Sequence, residues 1–476
     1  MTTEIQNELD HIDLGDQRLN KRAGQILESF WADPQASINS ASHGWAESRA
    51  AYRFFDNKSV QAEEILRPHQ QATSQRITQH DVVLLAQDTT ELDFSDHPPQ
   101  GAGPLTSEER LGFLDHSQIA FTPDGLCLGM IDVDIWARSS EGFGDSKKRQ
   151  YDPIETKETY RWLEGYRKAC ELAGQVPQTQ IISVADSEGD IYELFVEAQQ
   201  GSEKTADFVI RAGKIRSLPE LDPEGGPSTY CKLQKEMNHA PLVAVREIDL
   251  PRTPKRKARV ARLEIRARRV RLKAPYRKHT ALPEVEINVV LVRETNPPLD
   301  EEPIEWLLVT SLPIETAEQV LLVVDYYRGR WPIEIFFRVY KTGCQVERIQ
   351  LENSERLLRC LMLYKIVAWR VLYLTILGRE CPELPCDVLF TADEWKPVWK
   401  ISCDDPLPAT APPLGRFLLL LGKLGGHNGR RGDAPPGPQS LWVGIRRMTD
   451  FAMAWRAFGP ENHNTPANDK NPLVCN

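Results

Sequence analysis

Apolar and polar positions change period several times along the 476 residues. Over the first seventy or so, small and apolar positions recur as on helices, with the basic stretches Gly15-Asp-Gln-Arg18-Leu-Asn-Lys21-Arg22 and Ala51-Tyr52-Arg53-Phe54-Phe55 among them. From about residue 80 the period shortens. Val82-Val-Leu-Leu-Ala-Gln87-Asp88 is an apolar run ending in an acid, which predicts a buried strand that delivers a carboxylate to a sheet end. The loop Asp96–Leu105 follows, and Leu126–Trp136 predicts another strand. A helix is predicted over roughly 155–174. Gln180–Ala185 then repeats the pattern of Val82–Gln87, with Asp186 at its end and a helix start at Tyr192.

Phe208–Arg211 predicts a further buried strand. Between about 215 and 305 Pro and Gly loops break the alternation, and in Arg262-Leu-Glu-Ile-Arg266-Ala-Arg268 charged and apolar residues alternate at strand period, lining one face with bases. This stretch predicts an inserted β subdomain with a cationic surface, closed by the exit strand Glu305–Thr310. Thr316 with Gln319 forms a capping-box pattern for a helix to about Gly329, and Pro332 suits the first turn of a second helix. Leu357–Leu377 is long and apolar, but Arg359, Lys365 and Arg370 interrupt it, so a buried helix is expected and not a membrane span. Beyond about 378 the chain turns to Pro-rich loops, then returns to helix over 440–455.

With 41 % hydrophobic residues the chain can bury a large core in several domains. Its formal charge of −10 argues against a nucleic-acid partner, yet the charge is segregated: thirteen Lys or Arg stand between Arg252 and Lys278 against one acid, Glu264, which makes that segment +12 and leaves −22 to the rest. Nine scattered cysteines without a C-x-x-C pair exclude a disulfide framework and a zinc ribbon, and point to a reducing cytosol. The start, Met-Thr-Thr-Glu-Ile-Gln, has no basic and apolar leader pattern.

The candidate chemistry lies in Tyr327-Arg-Gly-Arg330-Trp-Pro-Ile-Glu334-Ile-Phe-Phe-Arg338-Val-Tyr-Lys341. On a helix, Glu334, Arg338 and Lys341 fall within about 60° of arc, with Ile333, Phe336, Phe337 and Tyr340 anchoring the opposite face. Glu and Arg at i, i+4 are also an ordinary surface pair. Asp88 alone is equally a turn or cap acid. Three acids on separate elements, Asp88, Asp186 and Glu334, change the balance, because hard divalent cations take carboxylate oxygens and leave positions for phosphate.

These residues resemble the DDE triad and Y-R-E-K signature of bacterial insertion-sequence transposases, above all the branch of the transposase of transposon five. The resemblance runs from Gly15-Asp-x-Arg and Ala51-Tyr-Arg-Phe through Asp88-Thr-Thr, Phe208-Val-Ile-Arg and Trp306-Leu-Leu to Tyr340-Lys341-Thr-Gly. It implies an α/β chain: an RNase H-like catalytic core over 71–370 with its β insertion at about 215–305, a helical domain over 1–70 for transposon-end DNA, and a helical domain over 371–476 for subunit pairing. Asp88, Asp186 and Glu334 would hold two Mg²⁺ ions, with Mn²⁺ as substitute. Tyr327, Arg330, Lys341 and Arg338 would hold phosphates, Arg211 would brace the DNA, Trp306 would stack on a flipped base, and Arg22 and Arg53 would grip the duplex.

The implied activity is cut-and-paste transposition: hydrolysis at double-stranded transposon ends, hairpin formation and strand transfer into target DNA, by a homodimer on DNA in the bacterial cytoplasm at the nucleoid. Pro332 departs from the branch, which has a cation there, and the stretch Leu424–Asp433 resembles the broader insertion-sequence family more than that branch. Two rivals remain: an RNase H-like structure-specific nuclease, which would use the same acids, and an inactive domesticated DNA-binding protein.

Overall fold

The computed structural model describes residues 5–42, 44–140, 152–201, 205–219, 230–250, 257–276, 281–299, 301–430 and 432–459. Arg252, Lys255, Arg256, Arg277 and Lys278 of the basic segment, and Arg431, lie outside the described residues. The chain divides into two compact units, one of Met1–Pro68, Arg338–Ile349 and Glu355–Asn476, the other of His69–Phe337 and Gln350–Ser354. The helical ends of the chain therefore share one unit.

Among the described residues the second unit is built on a ten-stranded mixed sheet. Its strands are β1 (Val82–Asp93), β2 (Gly103–Pro104), β3 (Leu111–Phe121), β4 (Cys127–Trp136), β5 (Gln180–Ala185) and β6 (Asp207–Arg211), then, after the separate two-stranded ribbon β7 (Ser217–Pro219) and β8 (Tyr230–Lys232), β9 (Leu242–Leu250), β10 (Arg259–Leu272), β11 (Val285–Glu294) and β12 (Glu305–Thr310). The order is β2-β3-β1-β5-β6-β12-β11-β10-β9, with β4 on β3. Strands β1, β5 and β6 run parallel, and the others pair antiparallel. Successive residues face opposite sides, and both sides are covered. Val83, Leu85, Ile181, Phe208 and Ile210 pack with the helices Tyr160–Gln175 and Tyr192–Gln200. Leu84, Ile182, Val184 and Val209 pack with the helix Ala317–Arg328. Burial on both faces is why these strands read as unbroken apolar runs.

The strands expected as an inserted β subdomain lie between β6 and β12 in the chain and extend the main sheet, because β12 pairs β6 along one edge and offers its other edge to β11; an unpaired edge inside the fold would leave its backbone groups without partners. Two further points differ from expectation. The strand β3 was not predicted, because its middle, Asp115-His-Ser-Gln118, is polar; all four are buried and bonded, Ser117 to Asp115, His116 to Thr89, and Gln118 to the Gly165 carbonyl. The stretch expected as Pro-rich loop after 378 carries the helices Ala392–Ser402 and Leu414–Leu424.

In the first unit the helix Ser354–Glu380 runs through the core. It is long and apolar enough to cross a membrane, but 89 % of its most apolar window is buried in the protein. The interrupting bases are satisfied there. Arg359 donates to the carbonyls of Val60 (2.6 Å) and Phe55 (2.9 Å), and Lys365 sits 4.6 Å from the Tyr340 ring centre. Tyr364 stacks on Phe30 at 4.1 Å.

Arg359→Met keeps the buried stem but strands two carbonyls, so the urea midpoint should fall by an amount equivalent to about 3 kcal/mol; an unchanged midpoint would show that those carbonyls find other donors.

Candidate active site

Register brings the first two acids together. In the parallel pair β1 and β5, the matched residues run from Val82 with Gln180 to Gln87 with Ala185, so the next step on each strand is Asp88 and Asp186. Adjacent strands lie about 4.8 Å apart, so two carboxylates on one register step must feel each other. Here β1 continues antiparallel to β3 as far as Asp93, so Asp88 stands within a strand and not at its end as expected. Asp186 does end its strand, and its carboxylate accepts the Glu188 backbone N–H at 2.9 Å as the cap of a short 3₁₀ turn. Ala185 pairs Ile210, which places Arg211 one step further on β6.

The third acid arrives by a helix junction. The capping box of Thr316 and Gln319 starts the helix Ala317–Arg328 as expected, and Pro332 opens the next helix, Pro332–Arg338. A side chain at Gly329 would lie 2.4 Å from the Leu84 side chain, so glycine lets the junction close down on β1. The largely buried Arg330 then spans two acids. It donates to an Asp88 oxygen at 3.0 Å and to a Glu334 oxygen at 2.6 Å.

Burial pushes the Asp88 carboxyl up to about 6; Arg330 opposes this, while Asp186 and Glu334 add to it. All three acids therefore act on one small volume. Glu188, unremarked in the sequence, belongs beside them: burial raises its pKa and Asp186 raises it further. Only its spacing from Asp186 could have signalled it. Three coupled carboxylates are the donor chemistry of a hard divalent ion. As they lie, no group of three acids, histidines or cysteines among the described residues is set to hold one. The Arg330 guanidinium lies between Asp88 and Glu334, where such an ion would bridge them.

Around the acids stand other expected residues. The buried Tyr327 hydroxyl has its pKa raised by desolvation, against the pull of Arg330 and Arg211. Trp306 packs edge-on against Tyr327 at 5.4 Å and is partly buried. Arg211 is exposed, and contacts the Glu305 carbonyl at 3.4 Å. Trp331, 61 % exposed beside Arg330, is an aromatic that the sequence did not single out.

The remaining cations differ from expectation. The α-helical period of Pro332–Arg338 gives way to a π-helical turn, Val339–Gly343, so Lys341 does not continue the face of Glu334 by helical spacing. Lys341 pairs with Glu347 at 3.0 Å, and Arg338 is exposed. Arg22, on the helix Gln17–Ala32, is half-buried; Arg53, on the helix Trp45–Asp56, is exposed. The cationic face expected on β10 is largely neutralised. Arg259 pairs with Glu294 and Glu301, Arg266 with Glu264, Arg268 with Glu236, and Arg269 and Arg271 both with Glu286. Except for Glu264, these acids come from other elements, which no local charge count can reveal.

Three family models match the chain: a transposase DNA-binding domain over residues 1–60, a transposase DDE domain over 195–369, and a transposase Tn5 dimerisation domain over 366–459. Among solved structures, a cryo-EM synaptic complex of the piggyBac transposase with hairpin DNA aligns with 94 % of this chain and 74 % of that one, at 10 % identity and a TM-score of 0.36.

Because Asp88 titrates near 6 in the folded chain against an ordinary 3.8, its neutral form is favoured on folding; the associated stability is present below the ordinary value and lost as pH rises through about 6. In chelator, Asp88→Asn should therefore raise unfolding free energy by up to about 3 kcal/mol near pH 8 and leave it unchanged near pH 3, as read by denaturant titration. A loss of stability at the higher pH would contradict this electrostatic account.

Proposed function

We infer that the chain, which matches transposase DNA-binding, DDE and Tn5 dimerisation models, is a DDE transposase that moves DNA by a cut-and-paste route in which one acidic site serves every step. The observation that carries this is the shared register step of Asp88 and Asp186, tied through Arg330 to Glu334. Family members of this kind generally use divalent metal ions. Asp88, Asp186 and Glu334 are the proposed ligands of two Mg²⁺ ions, replaceable by Mn²⁺, whose charge acts on the attacking and leaving oxygens of a phosphodiester.

The surrounding side chains position DNA. Tyr327, protonated at neutral pH, donates its hydroxyl to a phosphate oxygen, and Arg330 and Lys341 hold phosphate beside the scissile bond. Arg338 adds a cation, and Arg211 braces the strand beside Asp186. For Trp306 to stack on a flipped base it must leave the Tyr327 ring. Such an aromatic pair is worth about 0.5–1.5 kcal/mol beyond area, and stacking on a base about 1–3 kcal/mol, so the exchange does not cost the enzyme more than it recovers.

The chemistry needs no covalent enzyme intermediate. Water attacks the end phosphodiester and frees a 3′-hydroxyl. That hydroxyl attacks the opposite strand, closing a hairpin and releasing the flanking strand. A second water opens the hairpin, and the 3′-oxygen then attacks a target phosphodiester. Each step exchanges one P–O bond for another: in the two hydrolyses water gives its hydroxyl to phosphorus and a proton to the leaving oxygen, and in the two transesterifications the attacking hydroxyl's proton ends on the leaving oxygen, so the same residues serve in turn. The proposed architecture is an RNase H-like core. The N-terminal helices bind transposon-end DNA through Arg22 and Arg53, and residues 366–459 support a homodimer on that DNA, with the bacterial nucleoid as its place of work.

Asp186→Ala and Glu334→Gln should each lower end cleavage in Mg²⁺ by at least about a thousandfold while leaving end-DNA binding in place; cleavage at the native rate would defeat the triad assignment. Duplex affinity should fall steeply with salt, and Arg53→Ala should reduce the slope of log K against log[salt] by about one. An unchanged slope in titrations from low to moderate salt would remove Arg53 from the phosphate contacts.

A further inference from the structure

The clasp of Arg330 on two of the three acids has a consequence beyond phosphate binding. Its guanidinium reaches Asp88 at 3.0 Å and Glu334 at 2.6 Å, and its side chain is nearly closed off from solvent. A buried fork between two carboxylates satisfies them in the way a cation does, with a fixed direction for each N–H. A guanidinium lying between the two acids occupies the place of an ion that would bridge them, and its charge repels that ion. We propose that Arg330 is the resident counter-ion of the acidic site, a positioning residue that a divalent cation must displace from Asp88 and Glu334.

The geometry explains why such a device is needed. Asp88 and Asp186 share a register step and Glu334 acts on the same volume, so without a counter-charge the fold would hold mutually repelling carboxylates in a partly desolvated place. Gly329 lets the arginine's stretch of chain close down on β1, so the bridge is built into the helix junction.

This clasp presupposes the metal-binding role proposed above for the acids, and the test separates the two. The full-length protein, free of DNA, is titrated with Mn²⁺ alone at about pH 8.5, where Asp88 is ionised, and free Mn²⁺ is followed by its spin resonance. Removing one positive charge a few ångström from the ion should tighten binding, so Arg330→Gln is expected to lower the Mn²⁺ Kd at least about fivefold, while Arg330→Lys stays near the native value. Asp186→Asn should weaken binding at least about tenfold. If Asp186→Asn leaves Mn²⁺ affinity unchanged, the acids are not the metal site and the parent proposal fails. If Asp186→Asn weakens binding but Arg330→Gln binds Mn²⁺ no tighter than the native chain, or if Arg330→Lys tightens it equally, the counter-ion proposal alone is overturned.

A second measurement uses the unaltered protein and so does not depend on a variant folding. Phenylglyoxal labels accessible guanidiniums, and labelled peptides are counted by mass spectrometry with and without Mn²⁺. Displacement should speed labelling of Arg330 several-fold and leave Arg359, held by backbone carbonyls, unchanged. Equal or slower labelling of Arg330 in Mn²⁺ would overturn the proposal.

Discussion

Like charges forced together by backbone register are the constraint around which the second unit is arranged. The parallel pairing of β1 and β5 leaves no freedom about where Asp88 and Asp186 go, because their positions follow from which residues exchange hydrogen bonds six steps earlier. That placement is unfavourable by itself: burial lifts the Asp88 carboxyl to about 6, and the charges of Asp186 and Glu334 add to the lift. Stability is given up at the site and recovered in the two hydrophobic layers that clamp the sheet. Arg330 moderates the strain without removing it, since Asp88 remains raised in its presence.

The same logic governs charge elsewhere. Counting along the chain, the segment from Arg252 to Lys278 is strongly basic. In the fold, five arginines of β10 have carboxylates from Glu236, Glu264, Glu286, Glu294 or Glu301 against them. A strand exposes its side chains to neighbours that are remote in sequence, so the net charge of a segment says little about the field of the surface it joins. The arginines also divide between faces. Arg262, Arg266 and Arg268 alternate with buried Ala261, Leu263, Ile265 and Ala267, whereas Arg269 and Arg271 alternate with buried Val270 and Leu272, so the buried side switches partway along β10.

Helices and apolar strands were the most legible parts of the chain. The capping box at Thr316, the Pro332 start, the strands ending at Ala185 and Arg211, and the exit strand Glu305–Thr310 all fall where local pattern places them. What escaped was polar or atypical and satisfied only at long range. Strand β3 hides its Asp-His-Ser-Gln run by bonding it to Thr89, Gly165 and itself. The π turn after Arg338 breaks the helical spacing on which the placement of Lys341 depended.

The sequence by itself determined the chemical inventory: three acids on separate elements, an arginine and a tyrosine at a helix junction, and the motif order by which the chain resembles transposases. Those properties are local, set by residue type, period and capping. Tertiary structure decided which of these groups meet and what each does to the others. It put Asp88 beside Asp186 through strand register, laid Arg330 across Asp88 and Glu334, set Trp306 against Tyr327, and covered the arginines of β10 with distant acids. Electrostatic energy depends on separation and burial in space, and neither quantity exists until the chain has folded.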